Sequence, residues 1–387
     1  MSPLTFHWFL PTYGDSRHVV GGGHGLPAGA AGGERPATLG YLTQIARAAE
    51  DLGFEGALTP TGAWCEDAWL TTAMLARETD RLKFLVAFRP GIIAPTLAAQ
   101  MAATFQRHSG GRLLLNVVTG GENHEQRAYG DFLDKDARYA RTGEFLDIVR
   151  ELWAGKTVDF TGEQLRVAGA RLARLPDPVP PVYFGGSSPA AGDVAARAAD
   201  VYLTWGEPPA DVERKIAWIR ELAGRAGRRV RFGIRLHVIT RDTAAAAWAE
   251  AQRLLDGFTP EAIRAVQAGL ARSESEGQRR MLALHRGRTD GLEIAPNLWA
   301  GIGLVRGGAG TALVGSHAEV AERIEEYHRL GIEEFILSGH PHVEEAYWFG
   351  EGVLPLLRHK GLWRHPGAPD GAIPAAAEVP FATGAGR

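Results

Sequence analysis

The sequence predicts a (β/α)8 barrel with insertions, and three observations lead there. Eight short β-like runs alternate with helix-like segments along the 387 residues, the order expected of a parallel sheet covered by helices. No G-x-G-x-x-G motif follows the first run, which weighs against an open doubly wound sheet, the runner-up. The run RFGIRLHVI, Arg231–Ile239, alternates Phe232, Ile234, Leu236 and Val238 with Arg231, Gly233, Arg235 and His237. Side chains alternate across a strand. A barrel would turn the first set to its helices and point Arg235 and His237 inward, near its mouth.

The elements follow in order. Phe6–Leu10 is the first expected strand. Leu39–Leu52 carries Leu42, Ile45, Ala46 and Ala49 at helical spacing, and Gly53 suits a C-terminal cap. Gly56–Thr59 is the second strand and Asp67–Arg77 a helix. Leu82–Phe88 is the third strand, followed by a helix over Thr96–His108. Arg112–Val118 is the fourth, and Arg138–Trp153 the next helix. Asp159–Pro180 reads as an irregular, Pro-rich excursion. Val182–Phe184 is the fifth strand and Ala190–Ala199 its helix; Val201–Thr204 is the sixth, with a helix over Ala210–Ala226. Arg231–Ile239 is the seventh, before a helix at Thr243–Leu255. Asp256–Gly315 reads as a long mobile segment, then come a helix at Ala318–Leu330, the eighth strand at Glu334–Ser338 and a last helix at Val343–Leu357. The Gly-rich stretch Val20–Glu34 suggests a mobile surface loop. Residues 1–363 are expected to form one domain, and 364–387 an extended or disordered tail.

Composition narrows the function classes. With 42 Lys+Arg against 45 Asp+Glu the net charge is −3, so nothing favours nucleic acid or an acidic membrane surface. Cys65 is the one cysteine, which excludes an intramolecular disulfide and a Cys-based zinc site; no metal is expected. The first residues lack a basic-then-apolar leader, and no apolar run approaches the ~20 residues of a membrane span. The single cysteine suits a reducing cytoplasm.

Two local features carry chemistry. Gly185-Gly186-Ser187-Ser188 sits between a strand and a helix, where backbone N–H groups and hydroxyls form an anion site. An inward Arg235 needs an anion, because an unpaired buried charge is costly. That anion is either a ligand or an internal carboxylate.

The segments FHWFLPTYGD, TGAWCEDAWL, RLKFLVAFRPG, NVVTGG, PVYFGGSS, YLTWGEPP, RFGIRLHVI, NLWAGIGLVRGGAGTALVG and SGHPHVEEAY run in this order between Phe6 and Leu357. Together they resemble the flavin-dependent alkanesulfonate monooxygenases, two-component enzymes of the bacterial-luciferase-like group. The resemblance implies a (β/α)8 barrel that receives reduced FMN from an NAD(P)H-dependent FMN reductase. It implies that O2 and an organosulfonate are then converted to sulfite and an aldehyde. It implies an FMN-phosphate loop at Gly186, Ser187 and Ser188, with further flavin contacts at Asn116, Thr119 and Tyr139. Arg235 and Arg306 match sulfonate-binding arginines. His237 matches a residue that manages a proton or orients the flavin, Cys65 an active-site position, and Trp205 a pocket wall. The Gly-rich stretch after Arg306 lacks a Gly-Lys-Ser/Thr ending, so it is a candidate lid rather than a phosphate loop. The family's pattern has Tyr where this chain has His340, and His where it has Tyr13. His340 is expected to take over a hydrogen-bonding or proton-transfer role; alternatively, the two exchanges reshape the pocket for a polar sulfonate such as sulfoquinovose. His342 lies beside them or caps the last helix. The resemblance also implies a homo-oligomer, a tetramer. A deazaflavin-dependent oxidoreductase and a non-catalytic flavin-binding barrel are the rival readings.

Overall fold

The computed structural model describes residues 2–20 and 33–368. Eight parallel strands close into a barrel: β1 Thr5–Phe9, β2 Gly56–Thr59, β3 Lys83–Phe88, β4 Leu113–Val117, β5 Val182–Gly185, β6 Val201–Trp205, β7 Arg231–Arg241 and β8 Glu334–Ser338. Each lies within two residues of the run expected for it. Closure is direct, since β8 pairs β1 on one side and β7 on the other. Local signals end the helices as anticipated. Helix Leu39–Leu52 begins at Thr38, whose side chain accepts from Tyr41 N, and stops at Gly53 with φ 89°, a conformation in which glycine carries no Cβ penalty.

The alternation in β7 sorts as the sequence requires. Phe232, Ile234, Leu236 and Val238 are buried with Phe6, Trp8, Phe335 and Leu337 in the layer between strands and helices. Phe9, Leu58, Leu85, Leu114, Tyr183, Val201 and Ile336 fill the interior. Each such aliphatic or aromatic side chain is worth roughly 1.5–3 kcal/mol once buried. Below that plug, buried Glu334 accepts from Tyr183 Oη at 2.8 Å and meets His7 Nε2 at 3.1 Å and Arg231. Burial alone would raise its pKa, but these partners outweigh it and hold the carboxyl below its ordinary value.

Two expectations need correction. Asp159–Pro180 is not wholly irregular: Val158–Thr161 and Arg166–Ala170 form an antiparallel hairpin. The first strand, VDFT, alternates over only four residues, and the second, RVAGA, carries no hydrophobic alternation. The turn is held from outside, by the Glu144 carboxylate accepting the N–H groups of Glu163, Gln164 and Leu165. The long segment before β8 is also structured, with helices at Pro260–Leu270 and Glu276–His285 and a strand at Ala312–Ser316. β7 outruns its barrel partner β6, which stops at the Trp205↔Arg235 pair. The Ala312–Ser316 strand takes over from there, pairing His237 through Arg241 in parallel.

Of the Gly-rich stretch Val20–Glu34, residues 21–32 lie outside the described residues, as does the expected tail from residue 369 on. Of the tail's first residues, His365 packs edge-on against Trp363. No helix among the described residues is long and apolar enough to cross a membrane.

Candidate active site

A cavity of about 220 Å³ opens at the C-terminal ends of the strands, the end where barrel loops converge. Of the residues singled out from sequence, Asn116, Thr119, Tyr139, Gly186, Ser187, Trp205, Arg235 and Arg306 line it. Tyr13, Cys65, Ser188, His237, His340 and His342 do not line it; all but half-buried Cys65 are buried.

The register of β6, β7 and β8 puts Trp205, Arg235 and Ile336 side by side. Arg235 is 6% exposed, donates from Nη2 to Ser338 Oγ at 2.8 Å, and has no carboxylate in ion-pair range among the described residues. Arg306 is 5% exposed and equally without one; its Nη2 donates to Tyr13 Oη at 3.2 Å and its Nε has no partner among the described residues. The internal salt bridge that could have explained Arg235 is therefore not the one the fold makes. Both guanidinium groups lie over the Phe9 ring, at 4.8 and 5.6 Å from its centroid, where the ring face is negative. Burial and then the charge of Arg306 push the Arg235 pKa down to about 9.

His237 forms a directed chain behind Arg235. Its Nε2 is 3.1 Å from the Ala309 carbonyl and its Nδ1 2.9 Å from Ser338 Oγ. A carbonyl only accepts, so Nε2 carries the proton. Burial, reinforced by Arg235 and Arg306, lowers the imidazole pKa well below its ordinary value, so Nδ1 holds a lone pair. Ser338 accepts from Arg235 and donates to Nδ1. His237 is thus satisfied on both nitrogens, and it tethers the loop that carries Arg306.

His340 differs. Its ring stacks on His237, with centroids 5.5 Å apart, yet neither of its buried nitrogens has a partner among the described residues. Burial and the neighbouring His342 hold its pKa well below the usual value. His342 opens the helix His342–Gly352 and is clamped by Asp15. The His342 Nδ1 lies 2.9 Å from Asp15 Oδ1, and its backbone N–H donates to Oδ2 at 2.8 Å. Tyr41 Oη donates to Oδ2 at 2.5 Å and Ser16 N to Oδ1 at 2.9 Å. Burial opposes the charge on Asp15, but His342 and Tyr41 overcome it and hold the carboxyl well below the carboxylate range.

One oxygen of Asp15 and one nitrogen each from His340 and His342 lie within 4.8 Å of one another. These donors do not fit a resident metal. Both Asp15 oxygens are taken, and Arg235 and Arg306 oppose added positive charge here. Two imidazole nitrogens remain, fewer than the roughly three or four protein ligands that zinc takes.

On the opposite wall, Gly185 and Gly186 leave the strand and Ser188 caps helix Pro189–Ala198, its Oγ accepting Ala191 N at 3.3 Å. A Cβ on Gly186 would lie 2.5 Å from the Ala191 Cβ and 3.2 Å from Tyr139 Oη, so only glycine fits there, and Gly185 and Gly186 line the cavity without side chains. This cradle fits a phosphate. Cys65 is not a thiolate: burial pushes it up to about 12, and Sγ faces the Pro60 and Gly62 carbonyls at 3.7 and 3.5 Å.

Phe9, Asp15, Ser338 and Gln278 belong to this region and have no local sequence signal. Phe9 reads as one more apolar strand residue, and Asp15 meets His342 across 327 positions.

Comparison with known proteins agrees with this architecture. The family model described as luciferase-like monooxygenase matches residues 4–334. Riboflavin lyase, solved with modified FMN and its substrate riboflavin, superposes with a TM-score of 0.78 at 21% identity, covering 94% of this chain and 93% of that one. A long-chain alkane monooxygenase gives 0.75 at 18% identity, with 94% and 93% covered. EDTA monooxygenase from Chelativorans sp. BNC1 gives 0.74 at 18% identity, with 94% and 95% covered. At these identities the likeness shows the shared fold.

Proposed function

We propose that this chain, which belongs to the luciferase-like monooxygenase family, is a flavin-dependent monooxygenase that desulfonates an organosulfonate. The observation that carries the reading is the pair Arg235 and Arg306, buried at one cavity and without a carboxylate partner among the described residues. Two guanidinium groups suit the fixed oxygens of a sulfonate. Reduced FMN from a separate reductase supplies the electrons that activate O2. One oxygen atom goes to the carbon that becomes the aldehyde, the other to water, and the carbon–sulfur bond breaks to release sulfite.

The chain's own residues have four tasks. The bare backbone at Gly185–Gly186 with Ser187 receives the phosphate, while Asn116, Thr119 and Tyr139 line the way to it. Arg235 and Arg306 hold the sulfonate. His237 holds the Ala309 carbonyl and through it the Arg306 loop. Trp64, Trp205 and Met281 wall the cavity and limit water.

Linear alkanesulfonates are the favoured substrates. Sulfoquinovose is the second reading, favoured by the two unpartnered nitrogens of His340, which add hydrogen-bonding capacity. Sulfite release with reductase-supplied FMN and O2, across methanesulfonate, pentanesulfonate, octanesulfonate and sulfoquinovose, tests both. Sulfite from the linear compounds supports the first; sulfite from sulfoquinovose alone supports the second. None from any, with tight binding of reduced FMN, overturns desulfonation and leaves the fold and the cofactor; absence of any turnover with reduced FMN would identify a non-catalytic flavin-binding barrel. Turnover with a deazaflavin in place of FMN would identify the rival oxidoreductase. His340→Tyr separates pocket shape from proton transfer: altered substrate preference indicates the former, rate loss alone the latter.

The barrel acts as one unit with its insertion, and we place a second copy of the chain against helices Ala68–Leu75 and Pro95–Ser109. The exposed side chains of Leu70, Met74 and Leu97 support that face.

A further inference from the structure

The segment over the cavity is clasped to the barrel on two sides. Ser273 Oγ donates to the Glu122 carboxylate, and Glu274 N to the Gly121 carbonyl at 3.3 Å, both in the loop after β4. Arg280 donates to buried Glu207, after β6. Helix Glu276–His285 therefore presents its first turn to the cavity, through Ser275, Gly277 and Gln278.

Gln278 is 2% exposed. Its Oε1 accepts Gly308 N at 2.9 Å. A backbone N–H only donates, so that contact fixes which amide atom is which. The Nε2 is left without a hydrogen bond among the described residues, on a residue that lines the cavity. Gly308, at φ 85°, lies two positions after Arg306. One carboxamide thus touches both the cavity and the loop that carries an anion-binding arginine.

We propose that Gln278 is a positioning residue that couples flavin occupancy to the placement of Arg306. This rests on the flavin reading above. An acceptor oxygen of FMN, carbonyl or phosphate, takes the free Nε2–H. The side chain then loses its rotamer freedom once for two contacts, so its bond to Gly308 is held longer and Arg306 stays in place over the anion. The same coupling makes sulfonate binding favourable after flavin.

Hydrogen exchange of the 303–311 segment, with and without reduced FMN under anaerobic conditions, tests this. Flavin is expected to slow exchange at Gly308 by about fivefold or more, the low end of ordinary coupling between sites. Gln278→Glu keeps an acceptor for Gly308 but has no donor, so basal protection stays and the flavin-dependent increment disappears. Gln278→Met loses both. The same increment in either variant as in the unaltered chain overturns the coupling, as does flavin binding to the unaltered chain with no increment. Failure of the unaltered chain to bind reduced FMN at all, followed by calorimetry, overturns the flavin reading and the coupling with it.

Discussion

Arg306 donates through Nη2 to Tyr13 Oη at 3.2 Å, joining residues 293 positions apart. The contact ties the loop before Ala312–Ser316 to the loop after β1 and turns a guanidinium into the barrel. Arg235 is already there, and the two share the face of Phe9. Like charges gathered in a dry site store a need for an anion, and this need is the physical basis of the substrate reading.

Arg306→Ala should weaken octanesulfonate binding by about 1.5–3 kcal/mol, the worth of a hydrogen bond to a charged group. Arg306→Lys should restore only part, because a point charge replaces a fork. Calorimetry on the flavin-bound protein measures both. Unchanged affinity in the alanine variant would remove Arg306 from the anion site.

Sulfonate affinity should depend on pH through Arg235. Its charged form binds the anion, and in the free protein burial and Arg306 hold its pKa down to about 9. Affinity should stay level below that value and fall as the pH rises through it, with one proton linked to binding. A profile that is flat through this range at constant ionic strength would show that Arg235 is charged throughout or is not a ligand.

Stability should decline on mild acidification because of His237 and His340. Burial first, then neighbouring positive groups, hold both folded-state values well below the ordinary one. The unfolded chain takes up protons near pH ~6.5 and the folded chain does not. Their contribution is therefore complete above that pH and is lost as the pH falls toward the folded values. Asp15, ionised in both states above its ordinary range, adds nothing in this window. Melting curves on either side of pH ~6 check the slope, which His340→Asn should flatten.

Asp15→Asn should cost about 3 kcal/mol in denaturant unfolding, because the clamp on His342 is a buried charged contact. Tyr41→Phe should cost about 1 kcal/mol. Equal stability of Asp15→Asn and the unaltered chain would mean that His342 needs no clamp.

Gly186→Ala should reduce FMN affinity at least tenfold, since its methyl would lie 2.5 Å from the Ala191 Cβ and the cradle would have to move. Flavin fluorescence on titration measures it, and undiminished affinity would place the phosphate elsewhere.

The elements of the barrel were legible because each is specified locally. Period-2 alternation in Arg231–Ile239 and helical spacing closed by Gly53 depend on residues a few positions apart. The strand at Ala312–Ser316 was not legible, because what makes it a strand is the overhang of β7. The hairpin at Val158–Thr161 and Arg166–Ala170 was hidden for the same kind of reason, its turn being held by Glu144 from a helix.

The site divides in the same way. The sequence by itself determined that Arg235 and His237 share the inner face of one strand, and that Gly-Gly-Ser-Ser opens a helix, since backbone geometry settles both. Only the tertiary structure decided what those groups do. Among the described residues it left Arg235 and Arg306 without carboxylates and satisfied both nitrogens of His237 while leaving those of His340 free. It also set Asp15 against His342 across 327 positions. Hydrogen-bond partners and burial are properties of strand register and barrel closure, which bring together residues that no local pattern links.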